Sequence, residues 1–282
     1  MKRCGNAMWK QLVCGVFVVL LSHPVLAAEE DSSSGSSAHF RLYNVEQDEQ
    51  LLSPNEPMYF VVGGDSEDIT AHFQLSFKYR LFDQESSLVK RYSWMDRLYF
   101  AYTQTTLWNL SADSRPFEDS SYRPSFFWQE ILAREGFHPD AMRMGYEHES
   151  NGQSAEKSRS IDTLFFQPAW FFPVGQKELM LAPKFYAYLA KGDENPDITD
   201  YRGYLELVAR YGDMDNWEFT TSIHVAERPS ILLNVSYPLR NQVFSRVGGF
   251  LYVQLFHGYG ESLLHYDEKE DLQLRVGFAF VR

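Results

Sequence analysis

The chain has 282 residues, a formal net charge of −12 and only two cysteines. So acidic a protein repels phosphate backbones, which excludes nucleic acid as a partner. Aromatic residues make up 16% of the chain at a mean hydropathy of −0.36, and nothing beyond residue 28 is long and apolar enough for a transmembrane helix, so the aromatics point to β-structure.

The first residues carry Lys2, Arg3 and Lys10, followed by an apolar run from Leu12 to Leu21 and small residues at Ala27 and Ala28. Residues 1–28 therefore read as a cleavable secretory signal peptide, too short in their apolar part for a membrane span. Cys4 and Cys14 both lie inside that segment, so disulfides, thiolate metal sites and cysteine nucleophiles are excluded from the mature protein. Cys14 precedes most of the apolar run, which argues against a lipoprotein anchor. Residues 29–38, rich in serine, read as a flexible N-terminal segment. From residue 39 to 282 the composition is even, and one domain is expected.

In chain order, the clearest strand is 73–82, where Phe73, Leu75, Phe77, Tyr79 and Leu81 alternate with Gln74, Ser76, Lys78 and Arg80. A soluble sandwich shows the same alternation, so repetition has to decide. Comparable segments occur at 56–63, 95–110, 123–133, 140–150, 158–174, 177–191, 200–211, 216–227, 229–239, 243–257 and 271–281. That makes about twelve, an even number that lets an antiparallel barrel close without free edges. Several reach roughly ten residues, the length a tilted strand needs to cross a bilayer. Tight turns are expected on one side and longer polar loops, at 111–122, 191–200 and 258–270, on the other. The fold class is thus all-β, an antiparallel transmembrane barrel. The chain ends Val281-Arg282 where barrels of this kind usually end on an aromatic.

Within 140–150, Met142, Met144, Tyr146, His148 and Ser150 share one face, because side chains two apart on a strand point the same way. A histidine and a serine on an otherwise apolar, lipid-facing wall are costly unless they bond to each other or do something useful. Their spacing suits a base that activates a weak nucleophile, and antiparallel pairing can bring Asp162 beside His148 as its orienting group. The bland alternative is a rim histidine and a turn-flanking serine. The remaining histidines (His39, His72, His138, His224, His257 and His265) lack metal-ligand spacing and read as rim or loop residues. Asp193, Glu194 and Asp197 read as a solvated acidic loop.

The stretch Gly145-Tyr146-Glu147-His148-Glu149-Ser150-Asn151-Gly152, followed by Ser158-Arg159-Ser160, resembles the signature of the outer membrane phospholipase A family. The blocks 102–104, 116–117, 195–199, 236–238 and 258–263 look like that family's in the same order. The resemblance implies a twelve-stranded outer-membrane barrel that acts as a homodimer and hydrolyses phospholipid acyl esters with Ca2+. Ser150 would be the nucleophile and His148 the base. The family's third member is an asparagine; by spacing that position is Asp162 here, so the orienter's charge departs from the pattern while its place does not. The family's oxyanion site maps to the amide of Gly152. Its calcium ligands map to the carbonyl of Gln153, the hydroxyl of Ser158 and the carbonyl of Ser114 from the partner subunit, and Ala155 with Glu194 at a second calcium position suggests that this accessory site is absent. Gln104 matches a polar residue at the family's dimer interface, the alternative being a glutamine facing the lumen. Two rival functions stand beside this one: a passive barrel with an open polar lumen, and a hydrolase of lipopolysaccharide acyl chains.

Overall fold

A computed structural model describes residues 51–65, 68–132, 136–213, 215–239 and 248–282; the expected signal peptide, the N-terminal segment and His39 lie outside these. The described strands form one closed antiparallel barrel. In chain order they are β1 (Leu52–Pro54), β2 (Met58–Gly64), β3 (Ile69–Arg80), β4 (Leu98–Asn109), β5 (Phe117–Ile131), β6 (Ala141–Ser150), β7 (Ser160–Val174), β8 (Lys177–Leu181), β9 (Lys184–Lys191), β10 (Leu205–Gly212), β11 (Glu218–Val225), β12 (Ser230–Pro238), β13 (Phe250–Tyr259) and β14 (Lys269–Val281).

Strands adjacent in sequence pair with one another, except β1 with β2 and β8 with β9, and β2 with β14 closes the ring. Two of the barrel's twelve staves are broken. β1 and β2 both line the same edge of β3, separated by Asn55, Glu56 and Pro57, and β8 and β9 both bridge β7 to β10, separated at Ala182 and Pro183. In both places a proline, with no N–H to give, interrupts the ladder. Closure leaves no free edge to pair with another chain.

The alternation seen in the sequence sorts the side chains. On β3, Leu75, Phe77 and Tyr79 are exposed on the outer wall, while Ser76, Lys78 and Arg80 are buried in the interior. β14 repeats this, with Leu272, Leu274, Val276, Phe278 and Phe280 outside and Gln273 and Arg275 inside. An apolar wall around a polar centre is how a barrel that crosses a bilayer is built.

The interior is filled by paired charges. Lys184 meets Glu147 at 3.1 Å, Arg202 meets Glu149 at 2.9 Å and Arg210 meets Glu218 at 2.6 Å. Arg275, only 1% exposed, is held by Glu261 and by the hydroxyl of Thr70 at 2.9 Å. Such pairs add little net stability over apolar packing but are costly to break, so they pin the strands in register. They leave a cavity of about 350 Å³, lined among others by Glu56, Arg123, Glu206 and His224, and the described interior has the character of a plugged barrel.

Several expectations are corrected. β5 begins at Phe117, inside what the sequence presented as a loop at 111–122, because its ladder with β4 continues past a bulge at Leu107 and Trp108. The segment expected as strand from residue 200 starts as a helical turn, α2 (Thr199–Arg202), which Gly203 ends at φ 64. The connection between β3 and β4, on the side away from the long loops, is not a tight turn: it holds α1 (Ser87–Arg91), capped by the Ser86 hydroxyl, and a 3-10 turn at Ser93–Arg97. His72 is no rim residue, since its ring lies in the barrel interior 2.6 Å from Gln254 Oε1. His224 lines the interior cavity. Gln104 points outward, not into the lumen, in a row with Tyr102, which donates to it at 3.1 Å, and Thr106, to which it donates at 3.4 Å.

At one end, the connections 151–159, 192–204 and 260–268 interlock. Ile161, Ile198, Tyr201, Leu263 and Tyr266 make a buried cluster there. The Tyr266 hydroxyl donates to Asp197 at 2.6 Å, and burial together with that bond pushes its phenol pKa up. Asp197 is exposed, as are Asp193 and Glu194, in keeping with a solvated acidic loop, and its carboxylate also ties that loop to the cap.

Candidate active site

β6 carries Tyr146, His148 and Ser150 outward, while Glu147 and Glu149 on the alternate positions are buried in interior ion pairs. The inward carboxylates thus lock the strand's facing, and the outward histidine and serine follow from the pleat. Across the ladder with β7, Tyr146 pairs with Leu164, His148 with Asp162 and Ser150 with Ser160. Against β9 the register slips between Asp162 and Thr163, a bulge of the kind that re-aims side chains beside functional sites. On the other edge, the β5 register places Tyr122 opposite Ser150 and Pro124 opposite His148.

The pairing brings His148 Nδ1 to 2.9 Å from Asp162 Oδ1, with the two side chains 33% and 28% exposed. An ionised carboxylate only accepts, so Nδ1 carries the proton, and in the neutral imidazole Nε2 is left as the acceptor. Tyr146 donates its hydroxyl to the same Asp162 oxygen. No hydrogen bond joins the imidazole to the Ser150 hydroxyl; the two occupy neighbouring positions on one face, about 7 Å apart along the strand.

The loop after Ser150 is built around Asn151, which is 3% exposed. Its amide donates to the Lys157 carbonyl at 2.8 Å, and its oxygen accepts from the backbone N–H groups of Gln153 at 3.2 Å and Arg159 at 3.0 Å. Gly152 sits at φ +65, left-handed backbone that favours glycine, and an added Cβ would stand 3.2 Å from the Tyr122 ring. Ala155 follows at φ 54. Asn195, fully buried, ties the neighbouring loop to the start of β7 by bonds to both backbone groups of Ser160, at 3.0 and 3.2 Å.

Among the described residues no group of three or more acidic, histidine or cysteine side chains is arranged to hold a metal. The oxygens that remain are neutral. Gln153 and Ser158 share the loop that Asn151 closes, and their carbonyl and hydroxyl suit a hard cation of modest affinity. Ser114 lies elsewhere, in the loop between β4 and β5, at φ 66 beside Arg115 at φ 43; left-handed backbone at two adjacent non-glycine residues is costly and is more often found at functional sites than elsewhere. Within one chain, then, Asp162 and His148 are joined, Ser150 and Gly152 adjoin them, Gln153 and Ser158 lie in the next loop, and Ser114 lies in the loop between β4 and β5.

Three contributors were not assigned roles from the sequence: Tyr146, Asn151 and Asn195. Tyr146 shares the outward parity of His148, so its nearness was legible, but its bond depends on the register with β7. The two buried asparagines act through backbone groups of loops, which alternation does not read.

The phospholipase A1 family profile matches residues 39–280. Phospholipase A1 of Escherichia coli (strain K12) is 32% identical over 188 residues, a match covering 63% of this chain and 59% of that protein's length. Among solved structures, the outer membrane phospholipase A from Escherichia coli superposes with a TM-score of 0.69 at 24% identity, covering 87% of this chain and 97% of the other. The Salmonella typhi outer membrane phospholipase dimer with bound calcium gives the same TM-score and identity, covering 89% and 99%. With this match joined to a closed, apolar-walled barrel of twelve staves, the chain belongs to the phospholipase A1 family and is a β-barrel of the bacterial outer membrane.

Proposed function

We propose that the protein is a calcium-dependent phospholipase that hydrolyses acyl ester bonds of membrane phospholipids, of A1, A2 and lysophospholipid type, at a Ser150–His148–Asp162 site on its outer wall. The observation that carries this reading is the 2.9 Å bond from His148 to Asp162 on the lipid-facing surface, two positions from an outward serine. A histidine, a carboxylate and a serine gathered at that place have no packing use, and family membership supplies the reaction class.

His148 Nε2 takes the Ser150 proton, and the freed oxygen attacks the ester carbonyl carbon. Asp162 keeps the imidazole in the Nδ1–H tautomer and balances the imidazolium that forms. The amide of Gly152, presented by its left-handed backbone, meets the charge developing on the carbonyl oxygen. Collapse expels the glycerol oxygen, which receives the proton from His148, and leaves an acyl-serine. Water, deprotonated by the same histidine, then releases the fatty acid. A calcium ion held by the Gln153 carbonyl, the Ser158 hydroxyl and the Ser114 carbonyl of the partner subunit would supply positive charge beside that oxyanion. With Ser114 supplied by a second copy, the active form is a homodimer, and a lone barrel in an intact membrane would be idle. The charge-filled interior argues against a passive pore.

A long-chain alkyl sulfonyl fluoride tests the site by mass spectrometry. Labelling of Ser150 that is lost in His148→Ala supports it. Labelling elsewhere, or labelling indifferent to His148, overturns it.

A further inference from the structure

The hydroxyl of Tyr146 does chemistry that the proposed triad leaves unassigned. Asp162 stands on the outer wall among exposed or half-buried apolar groups, with Leu164 and Phe166 following it on β7 and Met144 on β6. A carboxylate in that setting needs donors, and its neighbours' backbone N–H groups are engaged in the ladders on both sides. Its two side-chain donors are His148 Nδ1, at 2.9 Å, and the Tyr146 hydroxyl, and both reach the same oxygen, Oδ1. Tyr146 arrives from the diagonal position, two residues before His148 on one strand.

We infer that Tyr146 is a positioning residue for the reaction, acting through Asp162: its O–H fixes the carboxylate rotamer and draws off part of the negative charge that would otherwise fall on the imidazole. This rests on the triad reading above. A tyrosine at this height would also serve as an ordinary aromatic of the membrane interface, but that role needs only the ring, whereas the observed bond uses the hydroxyl. The other outward positions around the pair are Pro124 on β5 and Ala190 on β9, which do not titrate; Tyr122 lies one outward position further along β5, opposite Ser150.

The test is the pH dependence of kcat/KM for fatty acid release from phospholipid in detergent micelles by the full-length protein with calcium, for wild type, Tyr146→Phe, Asp162→Asn and the double variant. The phenylalanine keeps the ring and removes one donor. With that donor gone, the carboxylate acts more fully on the imidazolium, so Tyr146→Phe should move the acid limb upward by roughly half a pH unit to one unit and lower kcat about three- to tenfold with little change in KM. In the Asp162→Asn background the same substitution should leave the limb in place. An unchanged limb and kcat in Tyr146→Phe overturn the inference, as does an equal shift in both backgrounds, since Tyr146 would then act by another route. Release that persists in Ser150→Ala overturns the triad and the inference together, whereas Ser150-dependent release with an indifferent Tyr146 removes the inference alone.

Discussion

Replacing Asp162 with alanine isolates what the orienting group contributes. The variant removes the acceptor 2.9 Å from His148 Nδ1 and leaves strand and outer wall intact, because the side chain is about a quarter exposed (28%). A hydrogen bond to a charged group contributes roughly 1.5–3 kcal/mol, and partial exposure places this one toward the lower end. At about 1.4 kcal/mol per tenfold in rate, kcat should fall roughly 10- to 30-fold. Asp162→Asn keeps an acceptor for Nδ1–H and should retain substantial activity. The assay is initial-rate fatty acid release from micellar phospholipid at saturating calcium, with barrel integrity checked by the gel-mobility shift of folded barrels on heating. An alanine variant within twofold of wild type would refute the orienting role. An asparagine variant as impaired as alanine would show that the negative charge, and not orientation, is what the reaction needs.

Three other outcomes follow from the structure. Gly152→Ala puts a side chain on left-handed backbone and against the Tyr122 ring; the loop must shift its amide, and kcat should fall about 100-fold with KM little changed, a full-rate variant excluding that amide from the oxyanion site. Glu261→Ala leaves Arg275 buried without its carboxylate, and urea unfolding in detergent should show a loss of about 3 kcal/mol, which pairing the change with Arg275→Met should largely recover. Gln104→Ala, on the outward polar row with Tyr102 and Thr106, should weaken calcium-dependent dimerisation roughly three- to fifteenfold by sedimentation in detergent, whereas an unchanged dimer would place the interface elsewhere.

Much of the barrel was legible because its physics is periodic. Each of the twelve segments overlaps one stave, though β3 and β5 begin well before their expected starts, since an apolar wall and a polar interior force strict alternation, as 73–82 shows. The breaks at Pro57 and Pro183 were legible in principle from proline's missing N–H, yet the alternation around them masked the interruption. Residues 83–94 gave no strand signal, while 81–82 and 95–97 were read as strand beyond the ends that β3 and β4 take; the short helix there rests on the Ser86 cap, a local hydrogen bond and not a pattern. His72 shares the inward parity of Gln74, Ser76 and Lys78, so its interior position followed from alternation already in hand; counting it among rim residues overlooked the pleat.

The site divides the same way. The outward facing of His148 and Ser150 follows from parity, and the pairing of His148 with Asp162 follows from the register set by the loop between β6 and β7. Asn151 and Asn195 were not legible as organisers, because they bond backbone groups whose positions exist only once the loops are folded. Ser114 is a different case: it lies in the loop between β4 and β5, and alternation says nothing about loop residues, so its proposed part came from the family resemblance alone.

The most direct measurement of the central claim is fatty acid release from defined phospholipid by the refolded protein, with calcium or with chelator, beside Ser150→Ala. Release that needs calcium and disappears in the variant is the result expected; equal background in every sample would contradict the account and leave a barrel that carries the family's fold without its reaction.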